Sequence, residues 1–177
     1  MSNLIMIGGT MGIGKTTVSK LLYGSIDNCA YLEGDWVFNM SPFVINENTR
    51  NMVHNNIKTV ISNYLIAGYQ NVILSWVLHE QSTIDRIIKD VTEQVNEDIN
   101  IYSITLFSGK DTLKYRLKNR IERGSFQLET SFKEYYEIAL DRMERSMGVN
   151  SIKIDTDKIN PVQVKNEIMD LVFKNKE

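Results

Sequence analysis

The sequence predicts a three-layer α/β domain built on a five-stranded parallel sheet. Short apolar segments alternate along the chain with stretches that carry apolar residues at helical spacing, which is the pattern of strands joined by crossover helices. The run 71–76 is almost continuously apolar, as expected for a parallel strand covered on both faces. A glycine-rich loop, 9–16, separates the first apolar run from the first helical stretch. These observations favour helices on both sides of a parallel sheet.

The individual elements follow from local sequence signals. Apolar residues at helical spacing run up to Gly68, which closes the longest predicted helix. Pro161 opens the last helix at a position where proline is tolerated. We predict strands at 5–8, 30–32, 71–76, 101–107 and 151–155. We predict helices at 15–23, 46–67, 81–92, 110–122 and 131–147, and one that begins at 161.

The loop 9–16 has the pattern G-x-x-x-x-G-K-T between a strand and a helix. Its glycines allow backbone N–H groups to point inward and form an anion-binding concavity at the positive end of the next helix. Lys15 would reach the β- and γ-phosphates and Thr16 would place its hydroxyl on Mg²⁺. The alternative is a glycine-rich turn with a solvated lysine. The pattern favours a nucleoside triphosphate site formed by Gly9, Met11, Gly12, Ile13, Gly14, Lys15, Thr16 and Thr17.

Composition narrows the class of protein. The chain has 177 residues, of which 42% are hydrophobic and 24% charged, as in an ordinary globular domain. A formal net charge of −2 gives no electrostatic reason to expect nucleic acid as a partner. Cys29 is the only cysteine, which excludes an internal disulfide and favours a reducing cytoplasm. No segment has the roughly twenty apolar residues of a membrane helix, and no signal peptide is recognised. We expect one cytoplasmic domain over 1–177, without a membrane partner.

Two carboxylates follow the second predicted strand. Glu33 and Asp35 stand two residues apart, at the edge of the sheet where ligands bind in parallel α/β folds. We expect Asp35 to act as the base that accepts the proton of a substrate hydroxyl, and Glu33 to hold the water shell of Mg²⁺. Trp36 next to them is expected to contact the substrate. The alternative for Asp35 is that it caps the following turn or helix.

Arginines mark a candidate lid. Arg116, Arg120 and Arg123 share one face of the helix after the fourth strand, because they are spaced i, i+4 and i+7. Guanidinium groups stabilise the charge that spreads over a transferring phosphate, although such a stripe can also be a solvated helix face. A break at 124–125 and a second helix with Arg142 and Arg145 complete a candidate flap. Whether Arg142 or Arg145 joins the site is left open.

A candidate acceptor site lies near the helix after the second strand. Arg50 and His54 are four residues apart on that helix, and Arg50 is expected to contact the substrate. A lone histidine is more often structural, so His54 is not assigned a role. Trp36, Phe38 and Trp76 are candidates for an apolar wall, although core packing is the other reading of Trp76.

These features together resemble the small P-loop kinases, the group of nucleoside-monophosphate, shikimate and gluconate kinases and small antibiotic phosphotransferases. The resemblance rests on the loop 9–16, the Glu33-x-Asp35 pair, the arginine run 116–123 and the segment 154–157, Ile-Asp-Thr-Asp. It implies the strand order 2-3-1-4-5, ATP and Mg²⁺ as cofactors, Arg116 at the nucleotide and a lid at about 110–147. One departure is Ser75-Trp76, where nucleotide kinases commonly have Asp-Gly. This difference weakens the case for a nucleoside monophosphate as the acceptor.

We therefore predict transfer of the γ-phosphate of ATP to a hydroxyl or phosphate of a small molecule, by a monomer or homodimer. Lys15, Asp35, Arg120 and Arg123 are the expected catalytic residues. The alternative is a nucleotide-dependent regulator or an antibiotic-sequestering protein with slow ATP hydrolysis. An ATPase usually needs a carboxylate after the third strand to position water, and Ser75 does not supply one.

Overall fold

The computed structural model describes residues 1–124 and 130–174, and in these ranges it has five strands and six α-helices. The strands are β1 (Ser2–Gly8), β2 (Cys29–Glu33), β3 (Asn71–Ser75), β4 (Ile99–Phe107) and β5 (Ile152–Asp155). The α-helices are α1 (Lys15–Tyr23), α2 (Glu47–Ile66), α3 (Gln81–Val95), α4 (Lys110–Glu122), α5 (Phe132–Met147) and α6 (Pro161–Phe173). A short 3₁₀ helix, Gly34–Phe38, follows β2 and was not predicted.

All neighbouring strands are parallel, and the sheet order is β2-β3-β1-β4-β5. This is the predicted order 2-3-1-4-5, and the fold prediction is confirmed. The strands β2 and β3 lie on one side of β1 in the sheet, and β4 and β5 lie on the other side. Because the connections from the central strand run in opposite directions, a crevice forms at the carboxyl end of β1, where ligands bind in open α/β sheets. The loop 9–14 lies at this crevice because it directly follows Gly8.

Successive side chains of β1 point to opposite faces of the sheet, and they pack into two separate core layers. Leu4 and Met6 pack with the apolar face of α2 and α3, whereas Ile5 and Ile7 pack with α1 and α6 on the opposite face. These four side chains have no solvent exposure. The near-continuous apolar character of the central strands is therefore explained by helices on both faces, as the sequence predicted.

Several helix ends differ from the prediction by one to three residues. Asn46 and Ser131 were placed inside their helices, but each is an N-cap whose side-chain oxygen accepts a backbone N–H three residues later. The helix α3 continues to Val95, beyond the predicted end at 92, and stops at Asn96 in a left-handed conformation with φ of 54°. Where a helix ends depends on the backbone φ and ψ of the capping residue as well as on its type. The spacing of apolar residues therefore predicts that a helix is present more accurately than it predicts the first and last residues of that helix.

The helices α4 and α5 form a third apolar cluster over the loop 9–14. Leu113 and Leu117 of α4 pack with Ala139 and Met143 of α5. The predicted break at 124–125 lies in this connection: Gly124 has a φ of +67°, and residue 125 falls outside the described ranges. Closure of a lid over 110–147 stays a prediction. Within 1–124 and 130–174, no helix has the length and apolar character needed to span a membrane.

Candidate nucleotide and acceptor site

The backbone of the loop after β1 has the geometry of a phosphate cradle. Gly9, Gly12 and Gly14 all have positive φ, with values of 130°, 77° and 110°. L-residues with side chains rarely adopt these conformations. A Cβ on Gly14 would meet no protein atom within 4 Å, so this backbone borders open space immediately before α1. The arrangement leaves the amino end of α1 accessible to an anion.

Lys15 places its ammonium group in a buried position at the loop. The residue is 9% exposed, and Nζ donates a hydrogen bond to the carbonyl oxygen of Thr10 at 2.8 Å. Burial lowers the pKa of Lys15 to about 8, although the carboxylates of Asp35 and Glu33 act in the opposite direction. An ammonium has three N–H donors, and Thr10 takes one in the described part of the chain. The remaining donors and the incompletely compensated charge suit a polyanionic ligand.

Two contacts connect the loop to α5. The hydroxyl of Thr10 donates to the carbonyl oxygen of Ala139 at 2.7 Å, and this hydroxyl was not singled out from the sequence. Nη1 of Arg142 lies 3.8 Å from the sulfur of Met11. The charge of Arg142 also contributes to lowering the pKa of Lys15. Arg142 is therefore close to the phosphate loop, which answers part of the question that the sequence left open.

Glu33 is buried and held by two hydroxyl groups. Its Oε1 accepts a hydrogen bond from Ser75 at 3.0 Å, and its Oε2 accepts one from Tyr31 at 2.5 Å. Glu33 and Ser75 are paired in register across β2 and β3. Burial, together with the hydrogen bond to Glu33, raises the pKa of the Tyr31 phenol, so Tyr31 remains a donor. Glu33 consequently places a carboxylate beside the end of β3, where Ser75 itself has none.

A cavity of about 360 Å³ brings most of the predicted site residues together. Asp35 lies in the first turn of the 3₁₀ helix, is exposed, and lines this cavity with Lys15, Thr16 and Glu33. The remaining lining residues are Met11, Gly12, Gly14, Thr17, Val77, Arg116 and Arg120. The cavity thus combines one lysine, two arginines and two carboxylates at the carboxyl ends of β1 and β2.

The three predicted lid arginines have different positions. Arg116 donates to the carbonyl oxygen of Ile13 at 3.2 Å, to the hydroxyl of Thr156 at 2.8 Å and to the carbonyl oxygen of Thr156 at 2.7 Å. It therefore joins the phosphate loop to the segment after β5. Arg120 lines the cavity, and its charge lowers the pKa of Lys15. Arg123 is an exposed residue at the end of α4 and is not among the described residues that line either cavity discussed here.

A second cavity of about 800 Å³ lies between α2, α3, α5 and the 3₁₀ helix. It meets the first cavity at Val77, which lines both. Its cationic lining consists of Arg50, Arg86, Arg142 and Arg145, and its rings come from Phe38, His54, Trp76 and His79. Arg145 pairs with Glu80 and Asp141, and Arg86 pairs with Asp90. This cavity has the size of a small-molecule site.

The two tryptophans have different positions, one having been expected at the substrate and the other in an apolar wall or in the core. Trp76 lines the second cavity together with Arg50 and Phe38. Trp36 is 62% exposed, packs edge-on against Tyr31 and lines neither cavity in the described structure. The sequence did not predict that α3 and α5 line the second cavity, although it singled out two arginines of α5. The signal available for these arginines, Arg142 and Arg145, was their spacing of three residues on one helix.

Gly34 lies directly against the indole ring of Trp76, and we expect Gly34→Ala to disturb the second cavity. A Cβ at position 34 would lie 2.4 Å from Cγ of Trp76, so the indole must move or the backbone must shift. Overpacking of this kind costs about 1 to 3 kcal/mol of unfolding free energy. Thermal unfolding and tryptophan fluorescence would detect both effects. The control is Gly24→Ala, whose nearest contact would be an ordinary 3.5 Å; equal stability of the two variants would contradict the prediction.

The fold and the site together define a class of protein. A phosphate loop at the switch point of a 2-3-1-4-5 sheet, with a second cavity beside it, is the arrangement of small P-loop kinases. The chain belongs to the AAA domain family, whose pattern it matches over residues 5–137. A search of curated proteins finds no match.

Solved structures with the same fold include a resistance protein and two kinases. The tunicamycin resistance protein of Deinococcus radiodurans has a TM-score of 0.72 at 16% identity, covering 98% of this chain and 96% of that one. A gluconokinase from Sinorhizobium meliloti 1021 has a TM-score of 0.66 at 12% identity, covering 99% and 98%. Shikimate kinase from Acinetobacter baumannii, in complex with shikimate, has a TM-score of 0.59 at 17% identity, covering 99% and 95%. The predicted resemblance to this group is confirmed as a likeness of fold.

Proposed function

We propose that this protein transfers the γ-phosphate of ATP to a hydroxyl or phosphate group of a small molecule. The observation that carries the proposal is the meeting of the two cavities at Val77. A nucleotide in the first cavity would have its terminal phosphate directed towards an acceptor in the second. The P-loop kinase fold supports a nucleotide-dependent phosphotransferase in general.

The residues present fit ATP and Mg²⁺. Gly14 borders open space at the amino end of α1, and Lys15 has unused N–H donors and a desolvated charge. Thr16 and Glu33 line the same cavity and offer the hard oxygen atoms that Mg²⁺ prefers, directly or through water. When bound, Mg²⁺ would neutralise charge on the phosphates. The proposed nucleotide site comprises Gly9, Met11, Gly12, Ile13, Gly14, Lys15, Thr16, Thr17 and Arg116.

Asp35 is the proposed base. Its carboxylate lines the nucleotide cavity, and its negative charge raises the pKa of Lys15 against the lowering by burial. From this position Asp35 would accept the proton of the acceptor hydroxyl as that oxygen attacks the γ-phosphate. Arg120 and Arg142 act on Lys15 from the α4 and α5 sides, and they would stabilise charge on the transferring group. Arg123 is proposed to join them when the lid closes.

Steady-state ADP release from Mg·ATP tests the function directly. The panel should contain gluconate, shikimate and hydroxylated antibiotics including tunicamycin, since structures with this fold include proteins named for gluconate, shikimate and tunicamycin. Nucleoside monophosphates are added because the sequence resembles small P-loop kinases. Strong stimulation by one compound would establish a kinase and name its acceptor. Tight ATP binding with slow hydrolysis that no compound stimulates would contradict the proposal and favour a regulatory or sequestering protein.

Nucleotide affinity should depend on pH through Lys15. Its pKa is lowered to about 8 in the free protein, and the phosphates favour the protonated form. Affinity for Mg·ADP should therefore be constant below pH 8 and weaken above it, approaching tenfold per pH unit, because binding must then take up a proton. Calorimetry in buffers of different ionisation enthalpy measures this uptake. Constant affinity from pH 7 to pH 9.5 would show that Lys15 does not titrate on binding.

A further inference from the structure

His54 is a partly buried ring at the wall of the second cavity, and its buried nitrogen, Nδ1, has no partner in the described structure. It lies on α2 and packs edge-on against Trp76, with ring centroids 5.9 Å apart and an interplanar angle of 78°. Nδ1 is buried and makes no hydrogen bond in the described structure. Nε2, in contrast, is not buried without a partner, and the ring lines the second cavity, so Nε2 is accessible there. The two ring nitrogens therefore have different environments.

This difference determines where the ring carries its proton. A neutral imidazole has one N–H, and a buried N–H without an acceptor is less tolerated than an unused lone pair. The proton is therefore placed on Nε2, and a second proton on Nδ1 would be buried without a partner. Burial lowers the pKa of His54 and so does the charge of Arg86, while Asp90 acts in the opposite direction. The ring consequently stays uncharged at neutral pH.

We propose that His54 is a specificity-determining residue of the acceptor site: it offers Nε2–H as a fixed, uncharged donor and selects an acceptor with a carboxylate, phosphate or carbonyl oxygen there. Arg50, one turn earlier on α2, lines the same cavity, and its guanidinium group makes no hydrogen bond or ion pair among residues 1–124 and 130–174. The two donors together suit an oxygen-rich group with several lone pairs. This inference rests on the proposed function, which makes the second cavity the acceptor site.

His79 provides an internal reference, since the chain has only two histidines. It lines the same cavity, but its Nδ1 lies 3.2 Å from the carbonyl oxygen of Val77. That contact favours the proton on Nδ1, the opposite tautomer from His54. Long-range proton–nitrogen NMR spectra of ¹⁵N-labelled protein distinguish the two tautomers, and His54→Gln assigns the signals. We expect Nε2–H for His54 and Nδ1–H for His79 at neutral pH. A His54 ring that is charged or protonated on Nδ1 would overturn the proposal.

Kinetics with the compound that best stimulates ADP release tests recognition. His54→Phe keeps a planar ring without the donor, and we expect KM for the acceptor to rise about 10- to 100-fold while kcat changes less than about threefold. His54→Gln keeps an N–H near the position of Nε2 and should restore KM to within about threefold of the wild-type value. KM for ATP should not change in either variant. A wild-type acceptor KM in His54→Phe would refute the role of the donor.

A test that does not need turnover separates this inference from the proposed function. Inorganic phosphate is titrated in the presence of Mg·ADP while the Nε2–H signal of His54 is followed. We expect a saturable shift that is reduced in Arg50→Gln. If no compound stimulates ADP release, the proposed function fails, but a saturable shift would still support an oxyanion subsite at His54. A signal that phosphate does not move would overturn the subsite whether or not the protein is a kinase.

Discussion

Lys15→Met should abolish nucleotide binding and, at the same time, stabilise the nucleotide-free protein. Burial lowers the pKa of Lys15 to about 8, which means that folding removes water from the ammonium without full compensation. Methionine keeps an unbranched apolar chain and has no charge to desolvate. We expect a gain of about 1 to 3 kcal/mol in unfolding free energy at pH 7, reduced by the hydrogen bond that Thr10 loses. Affinity for Mg·ATP should fall by about 100-fold or more.

Thermal unfolding and calorimetric titration with Mg·ADP measure the two effects on the same samples. A chain of this size should gain about 2 to 4 °C in Tm for each kcal/mol. The gain should shrink above pH 8, because the unfolded wild-type chain then binds a proton that the folded chain has lost, and wild-type stability rises. Lys20→Met, an exposed position of α1, is the matched control and should change stability by less than about 0.5 kcal/mol. A less stable Lys15→Met protein, or one with wild-type nucleotide affinity, would contradict the prediction.

Asp35→Asn should abolish most turnover while leaving nucleotide binding nearly intact. The substitution keeps the shape of the side chain and removes the oxygen that is proposed to take the acceptor proton. Loss of a general base lowers kcat by about 100- to 10,000-fold. The backbone of the loop 9–14 and Lys15 are unchanged, so affinity for Mg·ADP should stay within about threefold of the wild-type value. Stopped-assay kinetics with the stimulating acceptor and calorimetry with Mg·ADP would provide the two readouts.

A carboxylate at the other end of the same strand provides the control for Asp35. Asp27 is exposed and precedes β2, whereas Asp35 follows it, so Asp27→Asn makes the same chemical change at the edge of the sheet away from both cavities. Asp27→Asn should have wild-type kinetics. Near wild-type turnover in Asp35→Asn would remove Asp35 from the mechanism. Loss of nucleotide affinity together with turnover would instead assign Asp35 a binding role.

The local sequence predicted most helices and strands, but their limits often depended on distant partners. The helix α4 was predicted at 110–122, and the structure has it at Lys110–Glu122. The start of β4 was placed two residues late, because Ile99 and Asn100 are strand residues through pairing with Ser2 and Asn3 of β1. Such pairing involves residues almost a hundred positions apart, and no short window of sequence contains that information.

The sequence by itself determined the phosphate loop, the Glu33 and Asp35 pair and the order of the elements, because these features depend on consecutive residues and on strand–helix alternation. The second cavity, proposed to hold the acceptor, was decided only by tertiary structure. Arg142 and Arg145 reach it because α5 packs over the phosphate loop, where Thr10 donates to Ala139. Similarly, the 3₁₀ helix carries Trp36 onto Tyr31 and away from both cavities. Motifs of consecutive residues can be recognised in the sequence, but a cavity is lined by residues from distant parts of the chain that meet only after folding.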